Sequence, residues 1–281
     1  MLQKTIIHKT KFLLKQNEAL LTLILLLWMV LYNYIQNVIL FRGTDITHMY
    51  MPVKLLLLSY NRTVETADNA ILFTMLYPLL VALPAGFSYA KEQQTKEEIF
   101  LISRLGKKTY LLSKLGSAFL TTFTVFLLPF LLEFLMTCVS FPLKAQGDFY
   151  NVSLYSAEYA GMVHNYPFAA LFCHFPVLYT LLGLFVFAVV SGLLGMLTVA
   201  ISFTVRVRYR ALLLLPCFLL LNLTEYVNLL FEADSAGTSW MKYLLLFNES
   251  EKFPWYPMTT ILFLLLLTAL CFHIGTKKEM W

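Results

Sequence analysis

Long apolar runs alternate with short polar stretches along the 281 residues of the chain. A helix needs about 20 apolar residues to cross about 30 Å of hydrocarbon, and six runs reach that length. The six runs cover about 19–41, 70–90, 114–141, 168–203, 211–231 and 257–275. The pattern therefore predicts an all-α integral membrane protein, with six spans in a single domain over residues 1–281.

Prolines and small residues mark irregularities within these runs. The fourth run is too long for an upright span, so we expect it to be tilted or to begin with a surface helix that breaks near Pro176. Prolines are expected to interrupt hydrogen bonding in spans two to five, at Pro78, Pro84, Pro129, Pro176 and Pro216. Small residues are expected to allow close helix approach in span four, at Gly183, Ser191, Gly192 and Gly195.

The composition supports the same class of protein. Hydrophobic residues make up 59% of the chain and charged residues 13%, whereas soluble domains have about 45–50% and about 25%. The four cysteines are too far apart in sequence for a metal or redox motif, so we expect small buried side chains. The sequence does not decide whether Cys138 and Cys173 form a disulfide bond. We expect no metal or cofactor on this chain, and the net charge of +5 does not indicate a nucleic-acid partner.

Positive residues are distributed unevenly between the two sides of the predicted bundle. Most of the 21 lysines and arginines fall in 1–18, 91–114, 206–210 and 277–278. Few fall in the connections on the other side, at about 42–69, 142–167 and 232–256. Because cytoplasmic segments of membrane proteins are enriched in Lys and Arg, both termini are predicted to be cytoplasmic in a multi-pass protein of the cell membrane.

The first eighteen residues, MLQKTIIHKTKFLLKQNE, combine apolar and basic positions. The lysines are Lys4, Lys9, Lys11 and Lys15, and they alternate with isoleucine and leucine pairs. This pattern suits an amphipathic helix on the inner membrane surface, with its lysines at anionic headgroups. A solvated basic leader that only sets the topology fits the same pattern.

A charged stretch, KEQQTKEEIFLISRLGKKTYLLSK, covers residues 91–114 between spans two and three. We expect a short helix over 93–103 with acidic residues near its N-terminus, where the helix dipole favours them. Gly106 is expected to end that helix, and Thr109 to cap the next span. Composition alone favours an ordinary positively charged loop.

The order of residues in this stretch resembles the first cytoplasmic loop of type-two ATP-binding-cassette (ABC) exporter permeases. In that family a Glu follows the second span, a short coupling helix comes next, and an Arg-containing turn leads to a Tyr with a Lys four residues later. Here Glu92, Arg104, Tyr110 and Lys114 stand in those places. The sequence departs from the family at 93–95, Gln-Gln-Thr, where a Gly-Thr pair is frequent.

The resemblance implies a role for the loop and a set of partners. The residues implied in coupling to an ATPase are Glu92, Glu97, Glu98, Phe100, Arg104, Tyr110 and Lys114. The chain contains no GxxxxGK[ST] loop, so ATP and Mg would bind to a separate ATPase subunit present in two copies. A second permease subunit, identical or homologous, would complete a bacterial exporter of a hydrophobic or amphipathic peptide, lipid or drug.

Polar residues within the outer halves of the spans are candidates for the translocation path. These residues are Glu133 in the third span and Asn222, Glu225 and Asn228 on one face of the fifth. A carboxylate in hydrocarbon needs a cavity, a partner or a proton. Snorkelling to the interface and structural bonds between helices are the alternatives.

Other functional classes receive less support from the sequence. HExxH and Gly-x-Ser-x-Gly motifs are absent, and the five histidines are scattered, so we do not expect an enzyme. A membrane-anchored interaction, immunity or sensor protein without transport is the main alternative. A secondary transporter would be expected to show inverted repeats and an ion site at the midplane, and neither pattern is present.

Overall fold

A computed structural model describes residues 2–46, 49–50, 52–58, 67–143, 171, 174–205, 209–230 and 256–277. This part of the chain is almost entirely helical and contains no strand. The helices are α1 (Leu2–Leu14), α2 (Asn17–Leu40), α3 (Pro52–Leu55), α4 (Ala67–Gly86), α5 (Ser88–Thr95), α6 (Glu97–Leu105), α7 (Lys107–Ser140), α8 (Pro176–Thr204), α9 (Leu215–Leu230) and α10 (Tyr256–Lys277). A 3₁₀ helix, Arg210–Leu214, leads directly into α9.

Five of these helices, α2, α4, α7, α8 and α10, are long and apolar enough to cross a membrane. The chain therefore has the helices of a membrane protein, as the sequence predicted. The predicted fifth span, 211–231, is a 3₁₀ helix followed by the 16 residues of α9. Since α9 alone is shorter than the roughly 20 residues of a span, a total of six spans stays a prediction.

Two prolines lie at the beginnings of helices and not within them. The α8 helix begins at Pro176, where the missing N–H leaves no helical hydrogen bond unmade. Pro216 is the second residue of α9. The backbone leaves the helical conformation at Phe175, so the expected break near Pro176 is present, and Pro216 follows the change from the 3₁₀ helix to α9. Pro78 and Pro84 lie inside α4, and Pro129 lies inside α7.

The α8 helix lies at the centre of the bundle and packs against α4, α7 and α10. Aromatic rings of α4, α7 and α8 pack together here, with centroids 5.2–6.2 Å apart. The rings belong to Phe73, Tyr77, Phe126, Phe130 and Phe187. The buried Tyr77 hydroxyl lies 2.9 Å from Ser191 Oγ, which satisfies the polar atom that the ring brings into this apolar core.

Close contact between α7 and α8 depends on two glycines. A Cβ atom at Gly195 would lie 2.9 Å from Thr122 Cβ and would overlap Thr122 Oγ1. A Cβ atom at Gly192 would lie 2.9 Å from the Phe119 ring. These contacts confirm the expectation that small residues of span four allow close helix approach.

Residues 52–58 lie inside the bundle, although the sequence placed them in the connection at about 42–69, outside the predicted spans. Each leucine of the run 55–58 is at most 2% exposed, and Val53 is equally buried. The run is apolar on all sides, so leaving it at an aqueous surface would forgo a large burial of apolar area. The expectation was wrong because packing against α7 and α8, which the local pattern does not reveal, provides that burial.

The described cysteines behave as small apolar residues. Cys138, Cys217 and Cys271 are free thiols. Cys217 is buried, and its sulfur lies 3.0 Å from Thr198 Oγ1. Cys173 lies outside the described residues.

Substitution of Gly195 by Ala should destabilise the bundle by about 1–3 kcal/mol, because the added methyl group forces α8 away from α7. The free energy of unfolding in detergent measures this loss. Thr122→Ala removes the atom that the new methyl group would overlap, so the double variant should recover part of the loss. A double variant that loses more unfolding free energy than the two single variants lose together would contradict the contact.

Candidate functional site

Two short helices connect α4 to α7 and form one end of the bundle together with α1; we call it the basic end. The backbone breaks between α5 and α6 at Lys96, a left-handed residue with φ 59°. The α6 helix then ends at Gly106, whose φ of 77° and ψ of 144° favour glycine. The predicted stop at Gly106 is confirmed. The predicted short helix begins at Glu97 and not at 93 because of the break, and Glu97 and Glu98 lie in its first turn as expected. Thr109 is not a cap, because α7 already begins at Lys107.

A buried ion pair joins α5 to α7 at this end. Lys114 Nζ donates to Glu92 Oε1 over 2.6 Å, and the Tyr110 hydroxyl donates to Glu92 Oε2. The Lys114 side chain is 3% exposed and the Glu92 side chain 17%. Tyr110 and Lys114 are four residues apart, so they share one face of α7 and reach the same carboxylate. The structure thus brings together three of the residues implied in coupling.

The N-terminal helix α1 completes this group of side chains. Lys9 Nζ donates to Ser113 Oγ over 2.8 Å and lies 4.4 Å from the centroid of the Tyr110 ring. Leu13 is buried, and Ile6 lies close enough to Gly116 that a Cβ there would be 3.1 Å from its Cδ1. We call Lys9, Glu92, Tyr110, Ser113 and Lys114 the polar junction. The sequence left a surface helix and a solvated leader open; the structure has the helix, and its docking on α7 was not predicted.

The inner face of α6 packs onto an apolar cluster beside the polar junction. Leu101, Ile102 and Leu105 are its partly buried contacts, and Tyr89 and Phe203 of the cluster form an edge-to-face pair at 4.7 Å. Glu98 on this face is 5% exposed, and its Oε2 has no hydrogen-bond partner in the described part of the chain.

The outer face of α6 is exposed and mixes apolar with charged residues. Ile99 is 60% exposed and Phe100 73%. Glu97 and Arg104 are exposed beside them. The residues implied in coupling therefore divide into two sets. Glu92, Glu98, Tyr110 and Lys114 face inward, whereas Glu97, Phe100 and Arg104 face outward.

Two further hydrogen bonds attach the connection to the rest of the basic end. Arg210 Nε donates to Gln94 Oε1 over 2.7 Å, which links α5 to the 3₁₀ helix before α9. Lys107 Nζ donates to the carbonyl of Thr276 over 2.8 Å, which links α7 to α10. Gln94 lies where the sequence departs from the permease pattern, and its side chain accepts the hydrogen bond from Arg210.

The candidates for a translocation path behave differently from one another. Glu133 is fully buried and accepts hydrogen bonds from Asn33 Nδ2 and from the backbone N–H of Leu57, both over 2.8 Å. These are structural bonds between elements, one of the alternatives that the sequence left open. Asn222 Nδ2 donates to the carbonyl of Phe218 in its own helix. The side chains of Glu225 and Asn228 lie outside the description, so the path stays a prediction.

Comparison with known proteins adds no relative: no protein-family model, curated protein or solved structure matches the chain. Within the described ranges, no group of three or more His, Cys, Asp or Glu side chains could hold a metal ion. The candidate site is thus defined by its geometry, a buried polar junction beneath a short amphipathic helix.

Replacing Lys114 with Met should destabilise the chain by about 3 kcal/mol or less, because a carboxylate loses its cation at a site that is only partly open to water. Unfolding in detergent measures the effect, and Lys108→Met at an exposed neighbour serves as the control. The double change Glu92→Gln with Lys114→Met should cost less than the sum of the single changes. Additive losses would show that the two side chains do not interact.

Docking of α1 should strengthen as the pH rises from about 8 to about 10.5. Burial, with a smaller effect of the Lys114 charge, lowers the pKa of Lys9 to about 8, and Glu92 partly opposes the shift. Below pH 8 the full cost of burying the charged amine is present; above the ordinary lysine pKa of 10.5 it is absent.

Spin labels at positions 12 and 108 would report the separation of α1 from α7 across this pH range. The pH dependence should disappear in Lys9→Met and remain in Lys11→Met, which removes an exposed lysine. Weaker docking at higher pH would contradict the burial of Lys9.

Proposed function

We propose that this chain is the transmembrane subunit of an ABC exporter, driven by ATP that a separate ATPase subunit hydrolyses. In this proposal the basic end is cytoplasmic, the chain crosses the cell membrane of a bacterium six times, and two permease subunits form the pathway. The substrate would be hydrophobic or amphipathic, such as a peptide, a lipid or a drug. The resemblance of residues 87–115 to the coupling loop of such permeases is the starting point.

The observation that carries the proposal is the two-sided placement of α6. Its inner face packs on the bundle through apolar contacts, and Glu98 on the same face is buried. Its outer face leaves Phe100 73% exposed. A large exposed aromatic side chain flanked by charges is typical of a protein-binding surface, because aromatic anchors with a polar rim recur at interfaces.

The polar junction supports a mechanical role for this surface. A single residue separates α5 from α4, and a single residue, Gly106, separates α7 from α6. Glu92 on α5 is bonded to Tyr110 and Lys114 on α7. A force applied to α6 would therefore reach α4 and α7 together. Closure of an ATPase dimer against α6 would move both spans as one unit.

Phe100→Asp should reduce co-purification of the ATPase at least tenfold, because it places a charge in the centre of the proposed interface. The complex is to be purified from its native membrane, with the bound subunit identified by a GxxxxGK[ST] sequence in mass spectrometry. Val139→Asp is the matched control, since Val139 is 88% exposed at the other end of α7.

Retention of the ATPase by the Phe100→Asp variant would reject α6 as its docking helix. Absence of any such subunit from the wild-type preparation would favour the alternative, a membrane interaction protein without transport.

A further inference from the structure

The segment 52–58 is held in the bundle through its backbone, by side chains of two spans. Asn33 Nδ2 and Asn37 Nδ2 donate to the carbonyl of Leu55 over 3.0 and 2.8 Å. Glu133 Oε1 accepts from the N–H of Leu57 over 2.8 Å. We call Asn33, Asn37 and Glu133 the backbone cradle. Because these bonds reach main-chain atoms, they recognise the peptide backbone and not a particular side chain.

The backbone cradle is linked to other helices by bonds that do not involve the segment. Asn33 Nδ2 also donates to Glu133 Oε1 over 2.8 Å, which joins α2 to α7. Asn69 Nδ2 lies 3.4 Å from Asn33 Oδ1 and donates to Gln36 Oε1 over 2.6 Å, which joins α4 to α2. The cradle is therefore preorganised, and preorganised polar groups lose less freedom when a ligand binds.

The cradle retains unused capacity for hydrogen bonds. Glu133 Oε2 and Asn37 Oδ1 are buried and have no partner in the described ranges. Asn37 Oδ1 can only accept a hydrogen bond, whereas Glu133 Oε2 accepts when the carboxyl group is ionised and donates when it is protonated. A buried polar atom without a partner is unfavourable, and a peptide carries both N–H donors and C=O acceptors that can satisfy these two atoms.

We propose that the backbone cradle is a binding site for an apolar peptide in a helical-turn conformation, and that residues 52–58 are its resident ligand. Asn33 lies seven residues before the end of α2, and Glu133 lies seven before the end of α7. The site is thus about 10 Å inside the end of the bundle opposite the basic end. The leucines of the segment are buried at this site, so the site accommodates apolar side chains while its polar groups bond the backbone.

Any role of this site in transport would depend on the function proposed above. Peptide binding by the site does not depend on it. The test therefore uses the full chain alone, in nanodiscs and without nucleotide. The probe is the peptide Pro-Val-Lys-Leu-Leu-Leu-Leu, identical to residues 52–58, with a dye at its N-terminus. Fluorescence polarisation gives its dissociation constant, and empty nanodiscs give its partition into lipid.

The variant Leu56→Ser with Leu58→Ser weakens burial of the resident segment without changing the residues whose backbone is bonded. It should bind the probe at least tenfold more tightly than the wild-type chain. Equal binding by the two chains, or no binding by either, would overturn the proposal.

A second peptide, N-methylated at the amide that corresponds to Leu57, tests the backbone bond without altering the protein. It should bind the double-serine variant at least tenfold more weakly than the unmethylated probe. Adding Asn37→Ala to the double-serine variant should weaken binding of the unmethylated probe similarly. Adding Thr268→Ala, in α10, should leave the binding unchanged. Equal affinities for the two peptides would show simple hydrophobic association and would overturn the proposal.

Discussion

Hydrocarbon cannot hydrogen-bond, so polar groups in the membrane must find partners within the protein, and this requirement organises the chain. It explains why Lys114 and Glu92 are paired under α6 and why Tyr110 donates to the same carboxylate. It also explains why the turn at 55–57, which leaves main-chain groups outside a regular helix, lies beside amide and carboxyl side chains. In both places polar residues within apolar helices fix the position of another element.

The two polar sites are carried by one helix. Lys114 and Glu133 are 19 residues apart on α7, which corresponds to about 28 Å along the helix axis. The polar junction fixes the basic end of α7 to α5 and α1, whereas Glu133 fixes its other half to α2 and the segment 52–58. The α7 helix is thus the element through which a change at one end would reach the other.

Sequence reasoning succeeded where the physical signal is local. Length and apolarity located the five helices that are long enough to cross a membrane. Gly106 marked the end of α6, and the four-residue spacing of Tyr110 and Lys114 placed them on one face. It failed where long-range packing decides. Lys96 has no sequence feature that predicts a left-handed conformation, and docking of Lys9 depends on a partner 104 residues away. The burial of 52–58 likewise depends on Glu133, 76 residues from Leu57.

Transmission along α7 is constrained by where the helix is held and where it is weak. It packs against α8 without space for a methyl group at Thr122 against Gly195, between the two polar sites. A rigid helix that tilted about this contact would move in opposite directions at its two ends. Pro129 lies between Thr122 and Glu133, however, and a proline inside a helix removes a hydrogen bond and permits a bend. The half of α7 that carries Glu133 can therefore change its angle while the contact at Thr122 is kept, so movement at the basic end need not displace α8.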